Sequence, residues 1–211
     1  MTASVWAVVV ARTGPSAKKR LSTVLGPEER AALAEEMLRE VLAACRGAGL
    51  ATVAVVSTDD GARAARGLGV GAIVVEPAGM NQAVATGLGW VAGRGAAATL
   101  VLPGDVPLTE ADDLRAIVAA GEAEPCVVVV PDRRGEGTNA LFLRPTDAIA
   151  PAFEGASAAR HLRLAEHRGA RAVRLDLPRV ALDVDTPEDL VELARASRGR
   201  VPADTSRPAG Q

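Results

Sequence analysis

Aromatic residues are nearly missing from this chain: no tyrosine, two tryptophans and two phenylalanines among 211 residues. Its core must therefore come from Val, Leu, Ala and Ile, within an apolar fraction of 48%. That composition suits β-branched strands packed under Ala- and Leu-rich helices. An excess of one charge is missing too. With 24 Lys and Arg against 26 Asp and Glu, the formal charge is −2, and no bulk field draws the chain to nucleic acid. Cysteine is reduced to Cys45 and Cys126, far apart and in no metal-ligand spacing, which reads as two buried thiols in a reducing compartment. No apolar run is long enough to span a bilayer. The first residues lack the charged start of a signal peptide and turn at once into a strand. A soluble, cytoplasmic protein without nucleic-acid or membrane partners is expected, large enough to fold around a core without staples.

What the sequence does contain is alternation. Short apolar runs at 5–10, 52–56, 73–75, 98–102, 126–130, 140–143, 172–175 and 180–182 read as strands. Helical stretches separate most of them, at 27–46, 60–66, 81–91, 147–153 and 157–167. A further helix is expected after Thr109, capped by it with Asp112 in the capping-box position, and a last one starts at Pro187. The first helix is well marked. Pro27 sits at its first position, Glu28 and Glu29 fill its first turn, and Gly47 and Gly49 follow its end. Residues 1–196 form one α/β domain with a mostly parallel mixed sheet and helices on both faces. Residues 197–211, rich in Arg, Pro, Ser and Gly, are expected to be a disordered tail.

Sheets of this kind bind ligands beyond the carboxyl ends of their strands. After the first strand lies a loop, 11–21, carrying Arg12, Lys18, Lys19 and Arg20. Those cations would suit a triphosphate, although a solvated basic loop would look the same. Neither a Walker loop nor the glycine fingerprint of a dinucleotide site is present. Asp105 follows an apolar strand between Pro103 and Pro107, as a metal ligand or as a turn residue. Asp183 and Asp185 are two apart, so an extended segment points both carboxylates to one face, where they repel unless a cation binds. Carboxylate oxygens select a hard ion, Mg²⁺ or Mn²⁺. One of this pair, or Thr186, could instead cap the last helix. Gly137, Thr138 and Asn139 offer a cradle for a phosphate or carboxylate, or form an ordinary turn. His161 and His167 read as helix-surface residues, and no side chain is assigned as general base.

The segments Ala17-Lys18-Lys19-Arg20-Leu21, Gly79-Met80-Asn81, Leu102-Pro103-Gly104-Asp105, Gly137-Thr138-Asn139-Ala140, Ser157-Ala158-Ala159-Arg160-His161 and Asp183-Val184-Asp185-Thr186-Pro187 keep a distinctive order. Together they resemble the 2-phospho-L-lactate and phosphoenolpyruvate guanylyltransferase family of coenzyme F-420 biosynthesis, over almost the whole chain. The resemblance implies a Rossmann-like nucleotidyltransferase domain of GT-A type. It also implies transfer of GMP from GTP to phosphoenolpyruvate or 2-phospho-L-lactate, with release of pyrophosphate. Asp105, Asp183 and Asp185 would hold Mg²⁺ or Mn²⁺. Thr138, Asn139 and Ser157, with backbone amides near Glu154 and Ser157, would hold the acceptor. Arg12, Lys18 and Arg20 would face the triphosphate, with Lys18, Arg20 and Asp105 at the reacting centre and Asn81 near the nucleoside. The chain departs from the family in having Arg12 for Lys, Lys19 for Ser or Thr, and Glu154 for Gly. A homodimer is compatible with all of this. Other readings are a molybdenum-cofactor or sugar-phosphate nucleotidyltransferase, or a nucleotide-binding protein without catalysis. The residues alone do not choose between phosphoenolpyruvate, phospholactate and 3-phosphoglycerate.

Overall fold

The computed structural model describes residues 4–76 and 79–198. Seven strands form one sheet: β1 (Val5–Ala11), β2 (Ala51–Val56), β3 (Gly71–Val74), β4 (Ala98–Pro103), β5 (Cys126–Pro131), β6 (Thr138–Arg144) and β7 (Arg171–Arg174). Their order is β3-β2-β1-β4-β6-β5-β7. Every neighbouring pair is parallel except the two that involve β6. Because β6 runs backwards, its first residue, Thr138, lies at the edge where the other strands end.

The helices are α1 (Pro27–Gly47), α2 (Asp59–Gly67), α3 (Met80–Ala92), α4 (Ala111–Ala120), α5 (Ser157–His167) and α6 (Pro187–Arg198). They divide between the sheet faces as the strand period dictates. Ala7 and Val9 pack with Leu38 and Leu42 of α1, Ala62 of α2 and Ile117 of α4. Val8 and Val10 point the other way, toward Val84 and Val91 of α3 and Ala158 and Ala165 of α5. Strands buried on both faces explain the unbroken apolar runs. Gly87 lets α3 lie close to the sheet, since a Cβ there would stand 2.4 Å from Val8 Cγ1.

Three expectations need correction. The helix at 147–153 is absent. Pro151 biases its predecessor away from helical backbone, and the Ala152 and Phe153 amides are taken by the side chains of His161 and Asn81. The strand at 180–182 is also absent. Val180, Leu182 and Val184 are buried and alternate like a strand. However, the carbonyls of Val180 and Ala181 accept from the Asn139 side chain, and Ala181 O also accepts from Arg133 N. Helix α4 starts one residue later than read: Glu110 caps it, and Asp113, not Asp112, accepts the Glu110 N–H at 2.9 Å. Of the expected disordered tail, residues 197 and 198 belong to α6, and 199–211 lie outside the described residues. No helix among the described residues is long and apolar enough to cross a membrane.

Candidate active site

The loop after β1 is tied down at several points. Thr13 donates its N–H to Ser57 Oγ at 3.0 Å and shares a 2.7 Å hydrogen bond with Thr58 Oγ1, the cap of α2. Further on, buried Arg30 reaches back from α1 and donates to three loop carbonyls, Pro15, Ala17 and Leu25, at 3.0–3.2 Å. This clasp holds Lys18 in left-handed backbone, φ 49°, the only non-glycine among the described residues with positive φ. Such a conformation costs roughly 1 kcal/mol and persists only where surrounding contacts impose it. Its result is to turn the Lys18 ammonium inward, 2.6 Å from Asp105 Oδ2 and 2.9 Å from Asp185 Oδ1, with 8% of the side chain exposed. Burial alone would lower the Lys18 pKa, but the two carboxylates outweigh it and hold the ammonium above its ordinary range. Arg20 approaches Asp185 Oδ2 at 3.3 Å from solvent.

The segment 182–185 is set by hydrogen bonds rather than by a ladder. Val184 N donates to Asp105 O at 3.1 Å, which brings the two acidic stretches together. Asn139 Nδ2 lies 3.1 Å from Val180 O, 3.1 Å from Ala181 O and 3.2 Å from Asp183 Oδ1, so its amide nitrogen ties the 180–183 stretch to β6. The Asp183 carboxyl is held above the usual range by burial, then by Asp105 and Asp185, against the Asn139 hydrogen bond. Capping of α6 falls to Thr186 and Asp189, a reciprocal pair: Asp189 Oδ2 accepts from Thr186 N at 2.8 Å and from Asp185 N at 3.0 Å. Arg133 binds the other Asp189 oxygen. Asp185 is thereby released from capping and keeps its carboxylate for Lys18 and Arg20.

Beside these groups lies a cleft of about 360 Å³, lined by Arg12, Lys18, Lys19, Arg20, Asp105 and Asp185 together with Gly79 and Met80. The basic loop, two of the three aspartates and the Gly79 region are thus brought together as expected. Asn81 is not part of the lining. Its Oδ1 accepts the Phe153 N–H at 2.7 Å, which makes it a strut between α3 and the loop before α5. Among the described residues no three Asp, Glu, His or Cys side chains converge closely enough to hold a metal ion as they stand. Lys18 is the cation that now joins Asp105 to Asp185.

A second cluster occupies the start of β6 and α5. Thr138 Oγ1 lies 3.0 Å from Ser157 Oγ and 3.0 Å from His161 Nδ1. His161 is fully buried, not a surface residue, and burial first, then the Arg160 charge, push its pKa down to about 4. Neither Thr138 nor Ser157 lines the cleft described above. Of the amides the resemblance implicates, Ser157 N–H is turned onto Gly155 O at 2.7 Å. Glu154 is exposed, and its carbonyl accepts from Arg160 at 2.8 Å.

Sequence reasoning missed Arg30, His161 and Asp189. For Asp189 a signal existed, because Thr186 and Asp189 have capping-box spacing around Pro187. His161 closes the Ser157–His161 motif but was read as a surface residue, and only the fold shows it and Arg30 turned inward.

Residues 6–202 match the protein family described as guanylyl transferase CofC like. The chain is 44% identical over 191 residues to a phosphoenolpyruvate guanylyltransferase of Rubrobacter xylanophilus, covering 90% of this chain and 93% of that protein. It is 38% identical over 204 residues to a 3-phospho-D-glycerate guanylyltransferase of Phenylobacterium zucineum, covering 94% and 93%. A nucleotidyl transferase from Methanothermobacter thermautotroptrophicus shares the fold at a TM-score of 0.70 and 17% identity, over 93% of this chain and 99% of that one. The family match extends over both clusters at the strand ends. The chain belongs to the CofC-like guanylyl transferase family.

Proposed function

We propose that this chain transfers GMP from GTP to a small phosphorylated carboxylic acid, phosphoenolpyruvate first and 2-phospho-L-lactate second, as a step in coenzyme F-420 biosynthesis in the cytoplasm. The observation that carries the reading is the meeting of Asp105 and Asp185 on the buried Lys18 ammonium, beside a cleft rimmed with Arg12, Lys19 and Arg20. In this reaction a phosphate oxygen of the acceptor attacks the α-phosphorus of GTP. A P–O bond forms there, and the bond to the β-phosphate oxygen breaks, so that pyrophosphate leaves. No side-chain base is required, because a phosphomonoester has its second pKa near about 6 and is mostly dianionic at neutral pH. The barrier is repulsion between two anions, which fixed cations and correct alignment relieve.

Three carboxylates against one buried ammonium fit a hard divalent ion by charge and donor type. Mg²⁺ or Mn²⁺ would be held by Asp105, Asp183 and Asp185 and would neutralise the triphosphate. Lys18 then turns from Asp105 and Asp185 to the phosphates. Arg12 and Arg20 hold the triphosphate at the cleft rim, Gly79 and Met80 bound the nucleoside, and Thr138 and Ser157 bind the acceptor phosphate.

The test is pyrophosphate release from GTP with Mg²⁺, offering phosphoenolpyruvate, 2-phospho-L-lactate and 3-phosphoglycerate separately. Release with phosphoenolpyruvate supports the reading. Release with 3-phosphoglycerate alone would reassign the acceptor, and tight GTP binding without release from any acceptor would end it. Equilibrium dialysis of Mn²⁺ against the protein and against Asp183→Ala checks the metal separately from turnover.

A further inference from the structure

His161 has no exposed surface, and its ring stands edge-on to Phe153 with 4.9 Å between centroids. Both ring nitrogens have partners. Nε2 lies 2.9 Å from the Ala152 amide nitrogen, and Nδ1 lies 3.0 Å from Thr138 Oγ1. A backbone N–H can only donate, so Nε2 must be the bare nitrogen. Burial and the Arg160 charge keep the ring neutral at ordinary pH. Its single proton is therefore on Nδ1, and Nδ1–H donates to Thr138 Oγ1.

That proton orders the hydroxyls beside it. Thr138 Oγ1 accepts from His161 Nδ1 and also from Ser157 Oγ. With both lone pairs filled, the threonine can only donate its own proton, and no described residue accepts it. The opposite tautomer would reverse the outcome: Thr138 would spend its proton on Nδ1, and nothing would be left to give. Reversing the Ser157–Thr138 bond would merely hand the spare proton to Ser157. Thr138 is the more accessible of the two, at 7% exposure against 2%. A hydroxyl that can only donate suits a partner that can only accept, such as an ionised phosphate or carboxylate oxygen, and it rejects a ligand that offers a proton.

We propose that His161 is a positioning residue for the acceptor: by keeping its proton on Nδ1, it makes Thr138 an obligate donor to an anionic oxygen of the phosphorylated acid. The inference rests on the reading above, in which the acceptor phosphate lies at Thr138 and Ser157. His161 itself does not touch the substrate and acts through the threonine.

Two measurements test it. The chain has two histidines, so long-range ¹H–¹⁵N correlation of the imidazoles is readily assigned with His167→Gln. His161 should show the Nδ1-protonated pattern, unchanged from about pH 8 down to about pH 6. An Nε2-protonated ring overturns the proposal whatever the activity. In kinetics, His161→Leu removes the donor, whereas His161→Asn keeps an amide N–H close to where Nδ1–H stood. His161→Leu should raise KM for the acceptor about tenfold or more, with KM for GTP unchanged, and His161→Asn should restore most of the loss. An unchanged acceptor KM in folded His161→Leu overturns the proposal. So does an equal rise in both KM values in the two variants, which would mean a purely structural role. Should His161→Leu fail to fold, the tautomer and the two KM values of His161→Asn decide. Thr138→Val separates this inference from the reading beneath it. If acceptor KM is unmoved in Thr138→Val, the acceptor does not sit there. If it rises in Thr138→Val but not in His161→Leu, only the role of His161 fails.

Discussion

The two flanks of the site are built on opposite principles. On the flank formed by β1 and β4, charges meet directly: Lys18 stands between Asp105 and Asp185, Arg20 leans on Asp185 from solvent, and a cleft opens beside them. On the flank formed by β6 and α5, Thr138, Ser157 and His161 are buried and carry no formal charge, and the Ala152 N–H on His161 Nε2 fixes the direction of the bond from His161 to Thr138. Asn139 and Asp183 join the two. In the proposed reading the difference matches what each flank would do. A triphosphate would bring charge and lose part of it as pyrophosphate, so its partners would be cations that can exchange. An acceptor would present one oxygen in one direction, which fixed neutral donors allow without reorganisation.

The largest test of this division is Asp183→Ala, at the junction. Pyrophosphate release should fall about a thousandfold or more. Thermal stability should hold or rise slightly. The Asp183 carboxyl is held above its ordinary pKa by burial and by two neighbouring acids, so at neutral pH the charged form costs stability, and that cost fades as pH falls through the folded pKa. Removing it relieves the strain, and Asn139 keeps the Val180 and Ala181 carbonyls. Normal turnover in a folded variant would refute the assignment.

The next largest effect belongs to the neutral flank and is a pH dependence. His161 is held at about 4 against an ordinary 6.5, so the unfolded chain binds the proton more tightly. Its contribution to stability is complete above about pH 6.5 and is lost as pH drops toward about 4, by about 3 kcal/mol in all. Urea melts at about pH 7 and about pH 5 should therefore differ less in His161→Asn than in the wild type. Equal differences would mean that the ring is charged in the folded state, and the neutral flank would not be neutral.

The two flanks were also unequally legible in the sequence. Continuous apolar strands and the order of motifs gave the sheet, and Lys18, Arg20, Asp105 and Asp185 were found because charged residues at strand ends are conspicuous. The neutral flank hid for the same reason it works. A buried histidine looks like any helix residue until the fold turns it inward, and hydrogen-bond direction has no sequence signature. The 180–182 stretch misled differently: its period-two burial is genuine, but a side-chain amide replaces the neighbouring strand. Asn81 and Asn139 were expected to face ligands; in the structure Asn81 Oδ1 and Asn139 Nδ2 hold backbone and a neighbouring acid in place. An amide has donors and acceptors for either task, and only geometry decides between them.

Arg30→Met should have a smaller effect, confined to the charged flank. It retains the aliphatic stem but removes the donors to Pro15, Ala17 and Leu25. Leaving those carbonyls to water or to no partner should cost about 2 kcal/mol in a denaturant melt. Lys18 loses the clasp that holds its left-handed backbone, so KM for GTP should rise about fivefold while acceptor KM stays put. If both KM values rose together, the flanks would be mechanically coupled, and the comparison would need Asn139 as the transmitting link.

Arg20→Gln should have the smallest effect on the fold, and its value lies in the contrast with Lys18. Both cations reach Asp185 from one short turn, but Lys18 is buried between two acids and Arg20 is 74% exposed. A solvated pair contributes little, so Arg20→Gln should leave the thermal midpoint where it is. Lys18→Met strands two carboxylates in a partly buried site and should lower it. If Arg20 serves GTP, its loss still raises KM for the nucleotide about threefold, and the rise shrinks with added salt as screening weakens the lost interaction. A drop in midpoint as large as that of Lys18→Met would make Arg20 part of the scaffold, because a cation free to follow a departing phosphate cannot also hold the loop together.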